Sequence, residues 1–403
     1  MIRTLVAAAI LLAAVTQGRA DAVFDAFLQQ LWPEAQRQGV SRATFDAATR
    51  GLEPDFNLPD LVIPGRLPRP DQSQPEFVQT PAAYVSEKSI ARLAEHGRKL
   101  LAQHRATLTA IEQQIGVPPT VLLAIWARET DYGRHRLPHS AIRVLATQAY
   151  VGRRKEQFRE EFLLALKMVQ EGHARLDMKS SWAGALGLTQ FLPSDFYRYG
   201  VDFDGDGRRD IFGSVPDALA SAARQLVGKG WQRGKRWAYE VRPPAQIDCT
   251  IAQPEHKLPI GEWIRRGYVP AHGRKLSAAE LAEPASLLLP EGTYGPAFLT
   301  PKNYYVIKDY NFSDLYVLFV GHLSDRMTDP RPFETAWSQS AQLKTVEVES
   351  MQKRMTELGL YRDKIDGKAG MLTRAALGAY QKANGLKLDC WPTAEVLRHM
   401  QGR

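Results

Sequence analysis

One helical segment constrains the fold of this chain more than any other feature. Residues Thr120 to Arg128 are nearly all apolar, with Pro118-Pro119 before them and Gly133 shortly after. A helix that is apolar on every side is buried inside a larger domain and does not lie on a surface. The segment therefore predicts a mainly helical domain whose core is large enough to surround it.

Helical periodicity dominates most of the chain, and one region breaks it. Apolar residues recur at three- and four-residue spacing from Ile90 to Ile115, which predicts one long helix. Proline and glycine punctuate residues 237–310, where the short β-prone runs are Tyr239–Val241, Trp263-Ile264 and Tyr304–Ile307. We expect a mainly α (α+β) chain with a small β subdomain inserted at about 237–310.

The first twenty residues are typical of a signal peptide. Arg3 precedes an apolar run, and Gly18-Arg19-Ala20 supplies the small residues of a cleavage site. The apolar run is too short to span a bilayer, and no cysteine follows it. We expect residues 1–20 to be removed from an exported, periplasmic protein that has neither a transmembrane nor a lipid anchor.

The C-terminal part of the sequence predicts a separate small module. Pro330 and Pro332 interrupt residues 327–341, which we interpret as a linker. We expect a main domain over residues 21–326 and a small helical domain over residues 342–403.

Charge and cysteine content exclude several classes of protein. The 403 residues carry a formal charge of +8, but the basic residues are scattered, so nucleic acid is not an expected partner. The positive charge is equally compatible with binding to another anionic polymer. Cys249 and Cys390 are the only cysteines, too few for a disulfide framework or a four-thiolate metal site. An exported location would permit a bond between them, but nothing in the sequence brings them together.

Glu129 is the strongest candidate for a catalytic residue. It follows Ile125 by four residues and Leu122 by seven, so its carboxylate continues an apolar stripe at the end of the buried helix. Burial and the carboxyl end of a helix both disfavour the charged form, so we expect a raised pKa, which suits a general acid. The alternative is a structural carboxylate neutralised by one of the arginines at positions 128, 134 and 136.

A glycine-punctuated loop over residues 180–194 carries groups that could hold an acetamido sugar. Gly184 and Gly187 would let the backbone approach a ligand closely. Phe191 offers an apolar face, and the Gln190 amide offers both a donor and an acceptor. A tight packing corner between a helix and a loop would have a similar composition, so the loop alone leaves both interpretations open.

An aspartate-rich loop predicts a cation site. Asp202, Asp204 and Asp206 occupy positions one, three and five of a calcium-loop pattern, and Gly207 occupies the sharp turn at position six. Arg208 follows at position seven, and the alternating oxygens suit a hard cation.

The end of this loop departs from the calcium pattern. Position twelve is Gly213 and not the usual bidentate glutamate, so Asp217 is the candidate replacement. Asp217 could instead complete a capping box that starts at Ser214. We expect a structural Ca²⁺, with a solvated turn as the alternative, and we expect no organic cofactor.

These motifs, in this order, resemble the lytic murein transglycosylases of the B type. The matching runs are residues 117–119 with 124–126, Glu129-Thr130 with Tyr132-Gly133, residues 181–187 with 189–194, 202–207, 217–221, Asn311 with Ser313-Asp314, and 74–77. The resemblance covers residues 24 to 326.

The resemblance implies a lysozyme-like catalytic domain that cleaves the MurNAc–GlcNAc β-1,4 bond of peptidoglycan without water and leaves a 1,6-anhydromuramyl end. Glu129 would first protonate the leaving oxygen and then act as base on the muramyl C6 hydroxyl. The sequence agrees, because Asp131 would face elsewhere on a helix and no second carboxylate is equally placed. The implied substrate-binding residues are Ser181, Gln190, Phe191 and Tyr310, of which Tyr310 could equally belong to the core.

Residues 342–403 resemble a peptidoglycan-binding domain of three short helices. The matching positions are Gln352, 358–359, 365–367, Gly370, 373–374, Ala376, 380–381 and 385–386. Two positions depart from the pattern: Met371-Leu372, where such modules usually have polar residues or proline, and Cys390, where a glycine is usual. The resemblance implies a module that anchors the enzyme to the wall, with peptidoglycan strands as the partner.

Two other functions remain open at the level of sequence. The first is a hydrolytic muramidase of the same fold, which would release products heavier by one water. The second is a non-catalytic wall-binding scaffold protein, for which Glu129 would have no chemical role.

Overall fold

The structure is a computed structural model that describes residues 22–63, 65, 79–338 and 343–402. The predicted signal peptide, the family-like run 74–77 and residues 339–342 of the predicted linker lie outside the described residues. The chain divides into two compact units, one formed by Met1–Gln72 with Glu129–Gln225 and the other by Ser73–Arg128 with Leu226–Arg403. Within the described ranges, no helix has both the length and the hydropathy needed to cross a bilayer.

Up to residue 228 the described chain is almost entirely helical. Its elements are α1 (22–30), α2 (Trp32–Arg37), α3 (Arg42–Thr49), α4 (Pro81–Tyr84), α5 (Glu87–Gln103), α6 (Arg105–Ile115), α7 (Pro119–Thr130), β1 (His139–Ser140), α8 (Ala141–Val151), α9 (Lys155–Gln170), β2 (Lys179–Ser180), α10 (Pro193–Tyr199) and α11 (Val215–Gly228).

From residue 237 onwards, strands alternate with short helices before the helical C-terminus. The elements are β3 (Tyr239–Arg242), β4 (Leu258–Pro259), α12 (Ile260–Arg265), β5 (Val269–Pro270), α13 (Ala278–Leu281), β6 (Pro284–Leu288), β7 (Pro290–Thr293), β8 (Ala297–Thr300), α14 (Lys302–Lys308), α15 (Asp314–Arg326), α16 (Thr345–Glu357), α17 (Met371–Ala383) and α18 (Ala394–Gln401).

Helix α7 is the buried apolar helix that the sequence predicts. Pro119 begins it, where its missing N–H costs no hydrogen bond, and every residue from Val121 to Ala127 is at most 5% exposed. In the first unit, α8 is buried along nearly its whole length and packs along α9, which buries Phe158, Phe162 and Leu166 on one face. Helices α8 and α9 therefore supply much of the core of the first unit.

The predicted single helix from Ile90 to Ile115 is wrong at one residue. His104 takes a non-helical conformation (φ −105°, ψ 22°), so α5 ends at Gln103 and α6 begins at Arg105. Periodicity does not detect such a break, because the apolar spacing continues through it. Gly116 then ends α6 in a left-handed conformation (φ 92°), which glycine adopts readily.

The β subdomain is a five-stranded antiparallel sheet with the strand order β4-β6-β8-β3-β5. Strand β3 confirms the predicted strand at Tyr239–Val241. The other two predicted runs are wrong, because Trp263-Ile264 lies in α12 and Tyr304–Ile307 lies in α14. Trp263 is fully buried and its indole N–H donates to the Ala285 carbonyl at 2.9 Å, so its aromatic character reflects burial and not a strand.

The C-terminal module consists of α16, α17 and α18 around a small core that includes Met351, Met355 and Leu377. Two buried glutamines organise its loops in the same way. The Gln352 amide oxygen accepts from the Asp366 and Gly367 amides at 3.0 and 2.8 Å. In the same way, the Gln381 amide oxygen accepts from the Asp389 and Cys390 amides at 3.2 and 2.9 Å. The module therefore contains an internal repeat in its loops.

Cys390 replaces glycine at a position that favours glycine. Its counterpart in the first repeat, Gly367, has a left-handed conformation (φ 71°), and Cys390 has the same conformation (φ 52°). This explains why the sequence pattern usually has a glycine there. In this chain the Cys390 side chain forms a disulfide bond.

The partner in this bond is Cys249, and the Cα atoms of the two cysteines lie 6.1 Å apart. The sequence did not predict this bond, because 141 residues separate the cysteines and tertiary packing alone brings them together. Gly378 of α17 permits the crossing, since a Cβ there would lie 2.2 Å from the Cys390 sulfur. The bond joins the module to the short turn Cys249–Ile251 of the β subdomain.

Other contacts hold the module in the second unit. The Thr293 amide of β7 donates to the Asp389 carbonyl at 3.0 Å, and the Tyr294 hydroxyl donates to the Asp389 carboxylate at 2.7 Å. Arg374 of α17 forms a buried ion pair with Asp314 at the start of α15 (3.2 Å). The module is therefore packed against the rest of its unit and is not an independent domain joined only by a linker.

Candidate active site

Glu129 is the second-last residue of α7 and is partly buried. The next residue, Thr130, is 3% exposed, and its hydroxyl donates to the Leu188 carbonyl at 2.8 Å and accepts from the Gly133 amide at 3.1 Å. These bonds tie the end of α7 to the loop that carries Gln190. Thr130 therefore fixes the backbone next to Glu129, through one bond to the Gln190 loop and one to the turn that follows α7.

The chain leaves α7 through three consecutive left-handed residues. Asp131, Tyr132 and Gly133 have φ values of 47°, 59° and 79°. Non-glycine residues rarely adopt this conformation, and each costs about 1–3 kcal/mol unless its surroundings impose it. Here Tyr132 is buried, and the His135 amide closes the turn on the Thr130 carbonyl at 3.0 Å. Asp131 lies outside the helix, so helical spacing no longer relates its side chain to that of Glu129.

Ser181 organises the loop that follows β2. Its hydroxyl accepts from the Ala183 and Ala185 amides at 3.3 and 3.2 Å, and its own amide donates to the Ala185 carbonyl at 3.0 Å. The side chain is partly buried. Ser181 therefore shapes the loop whether or not it also meets a substrate.

The two predicted ligand-approach glycines pack against the protein itself. A Cβ at Gly184 would lie 2.2 Å from the Leu145 side chain, and one at Gly187 would lie 2.4 Å from the Ile211 carbonyl oxygen. Both glycines also have left-handed conformations. The packing-corner interpretation therefore accounts for these two positions.

Gln190 and Phe191 have different environments although they are adjacent. Gln190 is partly exposed in a left-handed conformation (φ 59°), and its amide nitrogen donates to the Gly187 carbonyl at 3.0 Å, which fixes the direction of the amide group. Phe191 is fully buried, and its backbone exchanges hydrogen bonds with Leu186 at 2.7 and 2.9 Å. The expectation that Phe191 offers a face to a sugar is therefore wrong in this structure, because its ring belongs to the core.

Tyr310 belongs to the second unit and follows α14. Its amide donates to the Ile307 carbonyl at 3.0 Å, and its ring is stacked on that of the buried Tyr316, with centroids 6.4 Å apart. The residue is partly exposed, so one part of the ring belongs to the core and another part is accessible.

The aspartate-rich loop brings three of its predicted ligands together. Oxygens of Asp202, Asp204 and Asp217 lie within 4.8 Å of one another. Asp217 is fully buried and accepts from the amides of Phe203 and Asp210, each at 2.8 Å. Three converging carboxylates are the hard oxygen ligands that Ca²⁺ prefers, so the residues present fit that ion.

Asp206 and Arg208 lie outside this three-carboxylate cluster. The Asp206 carboxylate accepts from the Arg208 amide at 2.8 Å, which closes the turn. Ser214 caps α11 by accepting from the Asp217 amide at 3.3 Å, and its hydroxyl donates to Asp204 at 2.7 Å. Asp217 therefore both lies in the cap of α11 and joins the cluster, and the two roles weighed for it are compatible.

The sequence analysis missed Glu161, a buried carboxylate that supports the end of the glycine-punctuated loop. It is 3% exposed and accepts from the Ser194 amide and hydroxyl at 2.9 and 2.7 Å, in the first turn of α10. Burial raises the pKa of Glu161 in spite of these two bonds. The sequence feature that could have identified Glu161 is its position three residues after Phe158, on the apolar face of α9.

Comparisons with known families identify the class of protein to which this chain belongs. Residues 23–325 match the transglycosylase SLT domain family, and residues 344–400 match a peptidoglycan binding domain family. The mainly helical domain therefore belongs to a defined class, the lysozyme-like SLT transglycosylase domains. The chain is a member of the SLT transglycosylase family and carries a C-terminal peptidoglycan-binding domain.

Individual relatives extend this result. The chain is 31% identical over 223 residues to membrane-bound lytic murein transglycosylase B of Escherichia coli K12, a match that covers 55% of this chain and 60% of that relative. The structure of SltB3 from Pseudomonas aeruginosa in complex with NAG-anhNAM-pentapeptide is 37% identical, with a TM-score of 0.84, over 94% of this chain and 99% of that one. Escherichia coli Slt35 in complex with calcium is 27% identical, with a TM-score of 0.52, over 62% and 78%.

Proposed function

We propose that this protein is a lytic transglycosylase that cleaves the MurNAc–GlcNAc β-1,4 bond of peptidoglycan without water. The observation that carries the proposal is the position of Glu129, a partly buried carboxylate at the end of a buried helix, next to Thr130 and the loop of Gln190. The likeness to SltB3, whose structure contains a NAG-anhNAM fragment, supports the choice of substrate and product.

In the proposed reaction Glu129 moves one proton in each of two steps. Its carboxyl group first donates a proton to the glycosidic oxygen as the bond to muramyl C1 breaks, and the GlcNAc leaving group departs as an alcohol. The carboxylate then removes the proton of the muramyl C6 hydroxyl as that oxygen bonds to C1. The products are a GlcNAc end and a 1,6-anhydromuramyl end, and Glu129 is protonated again.

The remaining predicted site residues take positioning roles in this proposal. The Gln190 amide is directed by its bond to Gly187 and leaves its oxygen available as an acceptor for a sugar N–H or hydroxyl. Ser181 shapes the same loop, and the accessible part of Tyr310 would contact the glycan. Phe191 supports the loop from the core and takes no part in binding.

Product analysis of Glu129→Gln tests the proposal. Wild-type enzyme should release anhydromuropeptides from purified sacculi, and the variant should be slower by about 10²–10⁴-fold, the usual contribution of a general acid–base group. Mass spectrometry of the digests is the measurement, because a hydrolase adds one water to each product.

Asp131→Asn is the matched control. Asparagine tolerates the left-handed conformation of residue 131, so this variant should keep near wild-type activity. Hydrated products would favour the hydrolytic muramidase. Unchanged release by Glu129→Gln would favour a scaffold protein with no role for this carboxylate.

The proposal includes a structural calcium ion and export to the periplasm. Asp202, Asp204 and Asp217 would hold the ion, with Asp206 and the Arg208 carbonyl as further ligands, and the calcium complex of Slt35 supports this choice. The ion would tie the loop to α11 and would take no part in the chemistry. The predicted signal peptide and the murein substrate of the relatives support a periplasmic location.

A further inference from the structure

Helix α10 begins where the adjoining chain has no side chain to cap it. The residue before the helix, Leu192, is apolar and makes no capping hydrogen bond, and Pro193 is the first residue of the helix. The first amides of a helix have no partner within the helix, so a buried helix start needs an acceptor from elsewhere. The carboxyl group of Glu161 is that acceptor, although Glu161 lies in α9, 33 residues before its partner Ser194.

Glu161 binds Ser194 through both of its oxygens. One oxygen accepts from the Ser194 amide at 2.9 Å, and the other accepts from the Ser194 hydroxyl at 2.7 Å. Glu161 is 3% exposed and lies among the buried residues of α9. Hydrogen bonds to a buried carboxyl group are costly to lose, because water does not replace them. Glu161 therefore fixes Ser194 against α9 and is too deeply buried to touch a glycan itself.

The chain that joins Ser194 to Gln190 is short and stiff. Leu192 is extended (φ −72°, ψ 154°), the conformation favoured for a residue before proline, and the Pro193 ring restricts its own φ. Phe191 is fully buried. Few backbone angles in this segment are free to absorb a movement, so a shift at Ser194 should reach Gln190.

The loop has a second anchor that does not depend on α10. The Leu188 amide donates to the Ile211 carbonyl at 2.9 Å, and the Leu188 carbonyl accepts from the Thr130 hydroxyl at 2.8 Å. Thr130 directly follows Glu129, so this anchor lies at the proton-transferring end of the site. Loosening the start of α10 should therefore displace Gln190 more than Glu129.

We propose that Glu161 is a positioning residue for substrate binding, which caps α10 and so holds the Gln190 amide where a sugar of the glycan strand meets it. Glu161 touches no substrate and transfers no proton. The inference rests on the proposed function, since it needs the binding role proposed there for Gln190. Loss of the cap should raise KM for the glycan and leave kcat close to its wild-type value.

Steady-state kinetics of the full-length protein on a soluble, peptide-free murein glycan test this proposal. Glu161→Met keeps the length of the side chain but removes both acceptors. It should raise KM about 3- to 10-fold, the value of one hydrogen bond to a ligand, with kcat within about twofold of wild type. Partial unfolding would instead reduce the active fraction, which lowers the apparent kcat and leaves KM unchanged.

Two matched variants separate the hydrogen bonds from the substitution itself. In Glu161→Gln the amide oxygen can accept from the Ser194 amide and the NH₂ group can donate to the Ser194 hydroxyl, so KM should return close to wild type. Glu160→Met makes the same change at the neighbouring exposed glutamate and should leave both constants unchanged. Ser194→Ala removes only the hydroxyl bond and should raise KM by a smaller factor, a result that does not depend on whether Glu161→Met folds.

A double-mutant cycle with Gln190→Ala decides whether Glu161 acts through Gln190. Gln190→Ala alone should raise KM, and adding Glu161→Met should then change KM little, because the amide that it displaces is already absent. An equal rise of KM in both backgrounds, or a fall in kcat at unchanged KM, would overturn the proposal. A wild-type KM for Gln190→Ala would overturn it together with the binding role of Gln190, whereas hydrated products from wild type would contradict the proposed reaction and leave the KM test intact.

Discussion

A single buried carboxylate, Asp314, connects the helical part of the second unit to the C-terminal module. Its oxygens accept from Lys308 and the Tyr304 hydroxyl at 2.6 and 2.7 Å and from Arg374 at 3.2 Å. Burial alone would raise the pKa of Asp314, but the Lys308 ammonium and Arg374 guanidinium hold it well below its usual range. The carboxylate is therefore ionised in the folded protein at every pH at which the enzyme could work.

Replacing this carboxylate should be costly. Asp314→Asn leaves Lys308 and Arg374 buried without their counter-charge and should lower the free energy of unfolding by about 3–5 kcal/mol. Because the folded pKa is below the unfolded value of about 3.9, the stabilisation is complete above about pH 5 and is lost as the pH falls. Chemical denaturation from pH 7 to pH 2.5 measures this.

The difference between wild type and the variant should be largest near neutral pH and should shrink below about pH 4. Asp309→Asn, at an exposed position one turn earlier in the chain, is the control and should change little. A wild-type–variant difference that stays constant down to pH 2.5 would contradict the assigned charge state.

At the residue scale, the sequence predicts position better than environment. The position of Glu129 near the end of α7 could be predicted because helical spacing relates it to Ile125, and spacing depends only on the local chain. Phe191 was assigned wrongly because an aromatic residue suits a core and a sugar site equally well, and only tertiary packing decides between them. Glu161 was missed for the complementary reason, since a glutamate on an apolar face is usually expected to be exposed.

At the scale of elements, the loop between α10 and α11 is organised around one helical cap. Asp217 of α11 accepts backbone amides from both ends of the loop, and Asp204 accepts from the Ser214 hydroxyl that caps the same helix. Oxygens of the three carboxylates that result lie within 4.8 Å of one another, and negative charges at this distance repel one another. A divalent cation would remove this repulsion and bind the loop to α11.

Calcium should therefore stabilise this element. At a concentration about 100 times its Kd, Ca²⁺ should add about 2.7 kcal/mol to the free energy of unfolding, and chelation should reverse the effect. Asp204→Ala should abolish the response in thermal melts. Asp177→Ala, which removes an exposed aspartate far along the chain, should keep it. A wild-type melting temperature that does not respond to calcium or to chelation would exclude the ion.

Secondary structure was predictable where the pattern was long. The buried helix α7 follows from its continuous apolar run, the three helices of the module follow from the family resemblance, and the start of β3 follows from its β-prone run. Trp263 and Tyr304 were assigned to strands because aromatic residues favour sheets, but both are core residues of short helices. Short apolar runs do not distinguish the two structures.

At the scale of the whole molecule, the disulfide is the strongest link between the module and the rest of its unit. Replacing both Cys249 and Cys390 with alanine opens a loop of 141 residues. The chain-entropy account gives a loss of about 4–5 kcal/mol for a loop of this length. Denaturant titrations with and without a reductant measure this loss.

The wild-type protein should lose stability in the reductant, and the double alanine variant should not respond to it. Reduced wild type and the alanine variant should both open first at the module, which limited proteolysis would detect. A reductant effect of equal size in the variant would mean that the stabilisation does not come from this bond.

The packing of the module could not be predicted from the sequence, for a physical reason. Its helices are encoded locally, but its attachment depends on Gly378 leaving room for a sulfur, on Asp389 meeting β7, and on Arg374 reaching Asp314. Each of these contacts joins residues that are far apart in the chain. Cys390 was recognised as unusual for the family, and its conformation explains both the usual glycine and this exception.

The proposed export to the periplasm gives the disulfide between Cys249 and Cys390 a further consequence. Thiols stay reduced in the cytoplasm and are oxidised once a protein has been secreted. A copy that was never secreted would therefore hold its terminal module by noncovalent contacts alone and would be easier for cytoplasmic proteases to open. Under the proposed localisation, such a copy would be removed from the cytoplasm, which contains no wall, and the disulfide-bonded form would accumulate in the periplasm.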